Sequence, residues 1–275
     1  MPLDPNRRHF KDSDELCAYA RDATGPRVVL SFSAGKDSVA AWVQLRRFFQ
    51  VVVPVYLYYI PDLEFVEETL LYYEQLFSTR VIRLPEQSLV RGLDQVLFQT
   101  PRRARQLERA NFHRDLTNSA ALELVRAKYK LEGVLGAEGV RMADSFRRRL
   151  SIQKHGPIYP HQNRFFPCYD WSDKRLREEL RKEGVKLCSS YRVFKRTFEG
   201  ARYAQLEPMR RHYPRDYRRV LSYFPLAEAE LFRRRFYDLE GLASEVRPCP
   251  VCGAAMDDKM GCPTHRWDGV IGRAR

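Results

Sequence analysis

The sequence predicts an α/β fold, a parallel sheet with helices on both faces, followed by a basic helical extension and a small cysteine-containing C-terminal module. Three observations carry this. Short β-branched and apolar runs alternate with helical stretches along the first part of the chain, the pattern of repeated βαβ units. A polar turn, Ser33-Ala34-Gly35-Lys36-Asp37-Ser38, joins the first such run to the first such helix. Near the end, Cys249-Pro250-Val251-Cys252 and Cys262-Pro263-Thr264-His265 stand close together.

The elements follow in order. Residues 27–32 read as a buried strand and 39–45 as the helix after the turn. Residues 51–58 read as a second strand, 64–77 as an amphipathic helix, 80–84 as a third strand and 89–98 as a short helix. The stretch 102–129 is charged and helical in pattern, and 131–136 reads as a fourth strand. A further helix runs to about residue 183, with Asp170 or Ser172 placed to cap it. Ligands of such sheets sit beyond the carboxyl ends of the strands, and the turn at 33–38 is at one such end. The expected division is a helical lead-in over 1–26, an α/β domain over 27–185, the basic extension over 186–245 and the terminal module over 246–275.

Composition bounds the function. A chain of 275 residues with 44% hydrophobic content can hold one large α/β domain and an appendage. No run of 18 apolar residues occurs and the first eleven residues hold no apolar core, so neither a membrane span nor a secretory signal is expected. Six cysteines, three of them near the end, suggest metal or redox chemistry in a reducing compartment, hence a cytoplasmic protein. The net charge is +13, from 48 basic and 35 acidic residues, and arginine dominates the basic set. Arginine pairs bidentately with phosphate and stacks on bases, which hints at a nucleotide or nucleic-acid partner; a solvated basic surface is the plainer reading.

The turn concentrates phosphate-binding chemistry. A strand-to-helix turn aims backbone N–H groups and the positive end of a helix dipole at one point. Lys36 adds a mobile charge, and Ser33 and Ser38 add hydroxyls. It is not a Walker A loop, which needs a longer turn and a second glycine. Residues 31–38 resemble the S-G-G-K-D-S signature of the PP-loop ATP pyrophosphatases, with Ala34 in place of the first glycine. A glycine needing positive φ is not replaced cheaply.

Three further segments extend the resemblance toward the phosphoadenosine phosphosulfate (PAPS) reductase branch. Residues 60–69 are similar to its D-T-G-x-E-F-x-E-T segment through Glu64, Phe65, Glu68 and Thr69, without the Thr-Gly pair. Gly139-Val140-Arg141 to Arg148 is similar to its G-x-R-x-x-x-S-x-x-R segment, with Arg141, Ser145 and Arg148 at matching spacings. Phe166-Pro167-Cys168-Tyr169-Asp170-Trp171-Ser172 resembles its Y-P-I-x-D-W-S segment. The resemblance implies an adenine nucleotide alpha hydrolase-like fold and ATP cleavage to AMP and pyrophosphate. It implies ATP contacts at Ser31, Ser33, Ala34, Gly35, Lys36, Asp37, Ser38, Glu64 and Ser145. Lys36, Asp37, Arg141 and Arg148 are the candidate catalytic residues, supplying positioning and charge neutralisation together with Mg²⁺, which Asp37 would hold through water. Asp37 also reads simply as an acid favoured at a helix N-terminus. The trio Arg147-Arg148-Arg149 suits an anionic substrate or a solvated basic turn.

The tail supplies Cys249, Cys252, Cys262 and His265, four ligands for a tetrahedral Zn²⁺ in a small knuckle. Residues 261–265 are also faintly similar to the mobile E-C-G-x-H segment of sulfonucleotide reductases, without its Glu and Gly. Cys17, Cys168 and Cys188 have no partner at ligand spacing and read as buried small hydrophobes. Arginine and tyrosine interleave over 210–219, which suits contacts to phosphates and bases; a helical subdomain with a basic face is the plainer reading. The expected function is ATP-dependent adenylation of an acceptor, with AMP then displaced by a sulfur or nitrogen nucleophile, as in sulfur transfer to a nucleic acid fed by a sulfur-donor protein. The alternatives are PAPS reduction and a non-enzymatic nucleotide sensor or nucleic-acid-binding protein.

Overall fold

The structure is a computed structural model that describes residues 9–110, 117–187, 189–194 and 197–239. The chain divides into two units, Met1–Ala227 and Glu228–Arg275. Helix α1 (Ser13–Thr24) opens the first unit, its N-terminus capped by the Asp12 carboxylate, which accepts from the Asp14 and Glu15 amides at 3.1 and 2.9 Å. There follow β1 (Arg27–Ser31), α2 (Lys36–Leu45), β2 (Val51–Tyr58), α3 (Glu64–Phe77), β3 (Ile82–Pro85), α4 (Gln87–Asp94), α5 (Pro101–Ala110), α6 (Asn118–Tyr129) and β4 (Gly136–Glu138). Then come a 3-10 turn (Met142–Asp144), α7 (Phe146–His155), β5 (Ile158–Tyr159), a second 3-10 turn (Pro160–Gln162), β6 (Arg164–Phe165), α8 (Asp173–Lys182), α9 (Ser189–Phe194), α10 (Tyr203–His212) and α11 (Pro214–Tyr223). The described part of the second unit is α12 (Ala229–Leu239), in which Arg233 pairs with Glu230 at 2.7 Å.

The sheet has six strands in the order β3-β2-β1-β4-β6-β5. All neighbouring pairs are parallel except β5 with β6. The chain winds outward from β1 through β2 to β3, then returns to the other side of β1 with β4. The winding therefore reverses between β1 and β4, where open α/β sheets bind their ligands. Ser31 faces Val55 on one side and Glu138 on the other, so the carboxyl ends of β1 and β4 lie side by side.

Helix α2 is buried from Ser38 through Leu45, since it is covered by the sheet below and α8 above. Trp42 anchors it, edge-on to Phe32 at 4.9 Å and tilted on Phe77 at 4.4 Å, while Phe32 meets Tyr73 edge-on at 5.5 Å. Ser172 caps α8 by accepting from the Arg175 amide at 3.2 Å, one of the two capping residues expected.

Two sequence expectations shift. The run 131–136 was expected to be a strand, but the strand is Gly136–Glu138. Lys130 and Gly133 both take left-handed conformations, φ 52° and 76°, and make a tight turn out of α6. Leu131 and Val134 are apolar because they are buried with Val29, Val55 and Val125 beneath the sheet, not because they pair in it. The helix expected over 89–98 is Gln87–Asp94, broken by left-handed backbone at Val96 and Phe98. The long helical pattern of 102–129 contains α5 and α6, and the intervening 111–116 lie outside the described residues.

Residues 198–224 pack onto the carboxyl edge of the sheet beside β2. Phe224 stacks on Tyr59 at 5.5 Å, and Tyr213 lies against Phe65 at 4.8 Å. Asp216 of α11 is buried, and its carboxylate accepts from the Glu64 amide at 2.6 Å and the Phe65 amide at 3.2 Å. It caps α3, whose own N-cap residue, Leu63, has no acceptor to offer. Arg219 donates from Nε to the Pro61 carbonyl at 2.8 Å and pairs with Asp62. Tyr213, Asp216 and Arg219 thus hold this part of the chain to the β2–α3 loop and the start of α3, while Arg210, Arg211, Arg215 and Arg218 are exposed.

Candidate functional site

The site grows from the end of β1. The Phe32 amide donates to the Val55 carbonyl at 2.8 Å, then the chain leaves the sheet. Ala34 sits at φ 57°, in the left-handed region. The position that resembles a family glycine therefore has the backbone a glycine favours, and alanine holds it at a strain of about 1 kcal/mol. Gly35 is the N-cap of α2 and offers no side chain to accept from the first-turn amides. The orphan amides of that turn and the positive end of the dipole are left for an anion. The Ser38 hydroxyl donates to the Gly35 carbonyl at 3.0 Å and accepts from the Ser33 amide at 3.3 Å, with the Ser33 hydroxyl 3.2 Å away. These bonds fix the turn, in which Ser33 is exposed and Ala34, Gly35 and Ser38 are buried.

Gly139, just past β4, crosses directly over this helix start. A Cβ there would lie 2.6 Å from both the Asp37 carbonyl carbon and the Ser38 nitrogen. Only a glycine permits this approach, which brings the segment after β4 onto the loop.

That segment delivers Arg141, whose side chain is 1% exposed. Its Nε donates to Asp37 at 2.8 Å, one terminal nitrogen reaches Asp173 at 3.0 Å and Asp144 at 2.9 Å, and the other donates to the Trp171 carbonyl at 3.1 Å. Burial alone would lower its pKa, but the carboxylates of Asp37, Asp173 and Asp144 outweigh burial and hold it above the ordinary arginine value. The Asp173 carboxyl is held below its usual range, chiefly by its hydrogen bond from Arg141. Arg141 is thus a buried strut tying three carboxylates together, with little donor capacity left for a phosphate. Lys36 rests on Asp37 at 2.7 Å and lies 4.0 Å from Asp173. Arg148 is half exposed and pairs with Asp144 at 2.7 Å. Ser145 caps α7 by accepting from the Arg148 amide at 3.2 Å. Glu64 lies at the start of α3, exposed, 3.5 Å from Arg215.

Of the residues expected from the sequence, Ser33, Gly35, Lys36, Asp37, Ser38, Arg141 and Arg148 fall in one connected network. Ser31 opens instead onto a cavity of about 350 Å³ between the β1–β4 junction, α6 and the turn before β6. Glu138, Arg126, His161 and Arg164 also line it. Arg164 reaches Glu138 at 3.4 Å, and its guanidinium lies over the rings of Tyr159 and Phe166. The Arg164 Nε is buried with no hydrogen-bond partner among the described residues. The volume falls in the range of small-ligand pockets.

Sequence reading missed Gly139, Asp173, Glu138 and Asp216. Gly139 belongs to the segment that carries Arg141, but its close approach to Asp37 and Ser38 exists only in the fold. Asp173 reads as an ordinary acid at a helix start, and Glu138 gains meaning only once β4 is placed in register with Ser31.

Cys249, Cys252, Cys262 and His265 lie outside the described residues, as does Cys188. Among the described residues, no group of three or more histidine, cysteine and acidic side chains is placed to hold a metal ion. Cys17 and Cys168 are buried thiols, and burial pushes both well above the ordinary cysteine range. They pack as small hydrophobes, as expected. No described helix is long and apolar enough to cross a membrane.

No protein-family model matches the chain, and no curated protein matches it. Solved structures show weak likeness. A U34-tRNA thiolase, NcsA, from Methanococcus maripaludis with its [4Fe-4S] cluster is 13% identical, covering 86% of this chain and 80% of its own at a TM-score of 0.41. An NH3-dependent NAD synthetase from Campylobacter jejuni in complex with nitrate is 12% identical, covering 82% and 94% at 0.41. A predicted subunit of tRNA methyltransferase from Methanocaldococcus jannaschii is 19% identical, covering 70% and 92% at 0.30. At these scores the likenesses decide neither fold nor chemistry, which rest on the chain's own geometry.

Proposed function

We propose that this chain is an ATP pyrophosphatase of the PP-loop type that adenylates an acceptor. The observation that carries the reading is the uncapped N-terminus of α2, with Lys36 on its first turn, at the carboxyl end of β1 where the sheet's winding reverses. An anion is the natural ligand of that point, and the cavity beside Ser31 and Glu138 is large enough for a nucleoside attached to it.

In this reading the α2 amides and Lys36 grip the β- and γ-phosphates of ATP. Lys36 leaves Asp37 to do so, a move its partial exposure allows. Arg148, half exposed, neutralises the anionic acceptor or the departing charge. Arg141 does not touch phosphate; it positions Asp37 and Asp173 against the loop. Mg²⁺, when bound, would be held by Asp37 and Asp173 through water and would offset charge on the phosphates. An acceptor oxygen attacks the α-phosphorus, the bond from that phosphorus to the bridging oxygen breaks, and pyrophosphate carries away the electron pair. AMP is left on the acceptor for displacement by a sulfur or nitrogen nucleophile. The arginine-rich charge of +13 supports a nucleic acid as acceptor, with sulfur brought by a separate donor protein. The tail residues Cys249, Cys252, Cys262 and His265 would hold a structural zinc.

The test is incubation with ATP, Mg²⁺ and cellular nucleic acid, with products resolved by chromatography. AMP and pyrophosphate support the reading; ADP and phosphate overturn it.

A further inference from the structure

The helix after the Arg141 segment has an outward face that the adenylation site does not use. Phe146 is 73% exposed and Leu150 is 49% exposed, and the one buried residue of α7 is Ile152. At about 100° per residue, Phe146 and Leu150 lie about 40° apart on the helix, with Arg147 beyond Leu150 and Arg149 on the other flank of Phe146. Lys154 continues the stripe one turn further. Arg147, Arg149 and Lys154 are exposed and have no ion-pair partner among the described residues. The helix, Phe-Arg-Arg-Arg-Leu-Ser-Ile-Gln-Lys-His, carries no carboxylate.

We infer that this face of α7 is the docking surface for a single-stranded nucleic acid, resting on the reading that the acceptor is one. An unstacked base has a π-face for Phe146, and the flanking arginines suit the phosphates on either side of it. A peptide partner would match the apolar stripe, but the absence of any acid on α7 leaves a peptide's basic residues unanswered. The position fits the role. Arg148 of this helix pairs with Asp144, Asp144 with Arg141, and Arg141 with Asp37 of the phosphate loop, at 2.7, 2.9 and 2.8 Å. A strand lying along α7 is joined through three ion pairs to the loop that would activate it. The interleaved segment at 210–219, by contrast, spends Asp216 and Arg219 on the protein's own β2–α3 loop.

The test is fluorescence anisotropy of the full chain with labelled 20-nucleotide single-stranded DNA and RNA, without ATP, across a salt series. Phe146→Ala should weaken binding roughly tenfold, the value of one lost base stack. Arg147→Ala with Arg149→Ala should reduce the slope of log affinity on log salt by about 1.4, two single-strand phosphate contacts. Arg105→Ala with Arg109→Ala on the exposed helix α5 is the charge control and should change binding less than twofold. All these side chains are exposed, and unchanged melting temperatures would confirm intact folding. The inference is overturned if wild type does not bind, if the α7 variants bind like wild type, or if the α5 pair costs as much. It is also overturned if poly-glutamate displaces the probe as well as unlabelled oligonucleotide does, which would assign the face to an acidic protein. Because ATP is absent, failure of ATP cleavage would leave this result standing, and normal cleavage with α7 variants that bind normally would remove this surface alone.

Discussion

Replacing Gly139 with alanine tests the close crossing on which the site depends. Gly139 does not have a positive φ, so the effect of the methyl group is steric. The added Cβ would sit 2.6 Å from the Asp37 carbonyl carbon and the Ser38 nitrogen, and 2.7 Å from the Asp37 oxygen. Ordinary contact between such atoms is about 3.5 Å, so backbone must part by roughly 0.9 Å. Neither side yields easily, because α2 is buried from Ser38 onward and the Gly139 segment is tethered by Arg141. Overpacking of this kind costs about 2 kcal/mol, which lowers the melting temperature by roughly 4–8 °C. The displacement moves Lys36 and the first-turn amides against the phosphates, and a shift of about 1 Å costs on the order of 100-fold in rate. Pyrophosphate release and thermal unfolding of Gly139→Ala, measured beside Val140→Ala, read both effects. A Gly139→Ala protein with wild-type turnover and melting temperature would refute the claim that the β4 segment sets the loop.

Ala34→Gly should stabilise the protein by about 0.5 kcal/mol, the left-handed strain removed less the added chain entropy of glycine; a destabilised variant in urea unfolding would count against that strain. Asp216→Ala should cost about 1–2 kcal/mol by uncapping α3 and should raise the KM for ATP through the displaced Glu64 segment; wild-type urea midpoints would refute the cap. Burial raises the Asp216 pKa above the ordinary carboxylate value, so the folded state holds its proton more tightly than the unfolded. Its contribution therefore falls as pH rises from the ordinary value through the raised one, and the stability of wild type relative to Asp216→Asn should decline over that window; a flat difference in urea titrations would contradict this. Elemental analysis should find about one zinc ion per chain, lost in Cys249→Ser or Cys262→Ser; stoichiometric iron with visible absorbance would replace the knuckle with a redox cluster.

What could be read from the sequence was local. The strand, turn and helix around Ser33 to Ser38 are contiguous, and both the strand-to-helix turn and the left-handed position of Ala34 follow from neighbours in the chain. The β4 error shows the limit. Leu131 and Val134 are apolar for a core that lies under the sheet, and periodicity cannot separate core burial from strand pairing over six residues. The two-residue strands β5 and β6 carry no period at all. Arg141 read as a hand for phosphate because two of its three carboxylates, Asp37 and Asp173, come from distant segments that meet it only in the fold, while Asp144 is its near neighbour in the chain. Asp216 was invisible for the same reason, since 152 positions separate it from the Glu64 amide it caps.

The most direct test of the central claim follows the label of γ-labelled ATP with cellular nucleic acid as acceptor. The account predicts that wild type releases the label as pyrophosphate and that Lys36→Ala, still folded, loses at least about 100-fold of that rate. Label appearing as orthophosphate, or pyrophosphate release undiminished in Lys36→Ala, would contradict it.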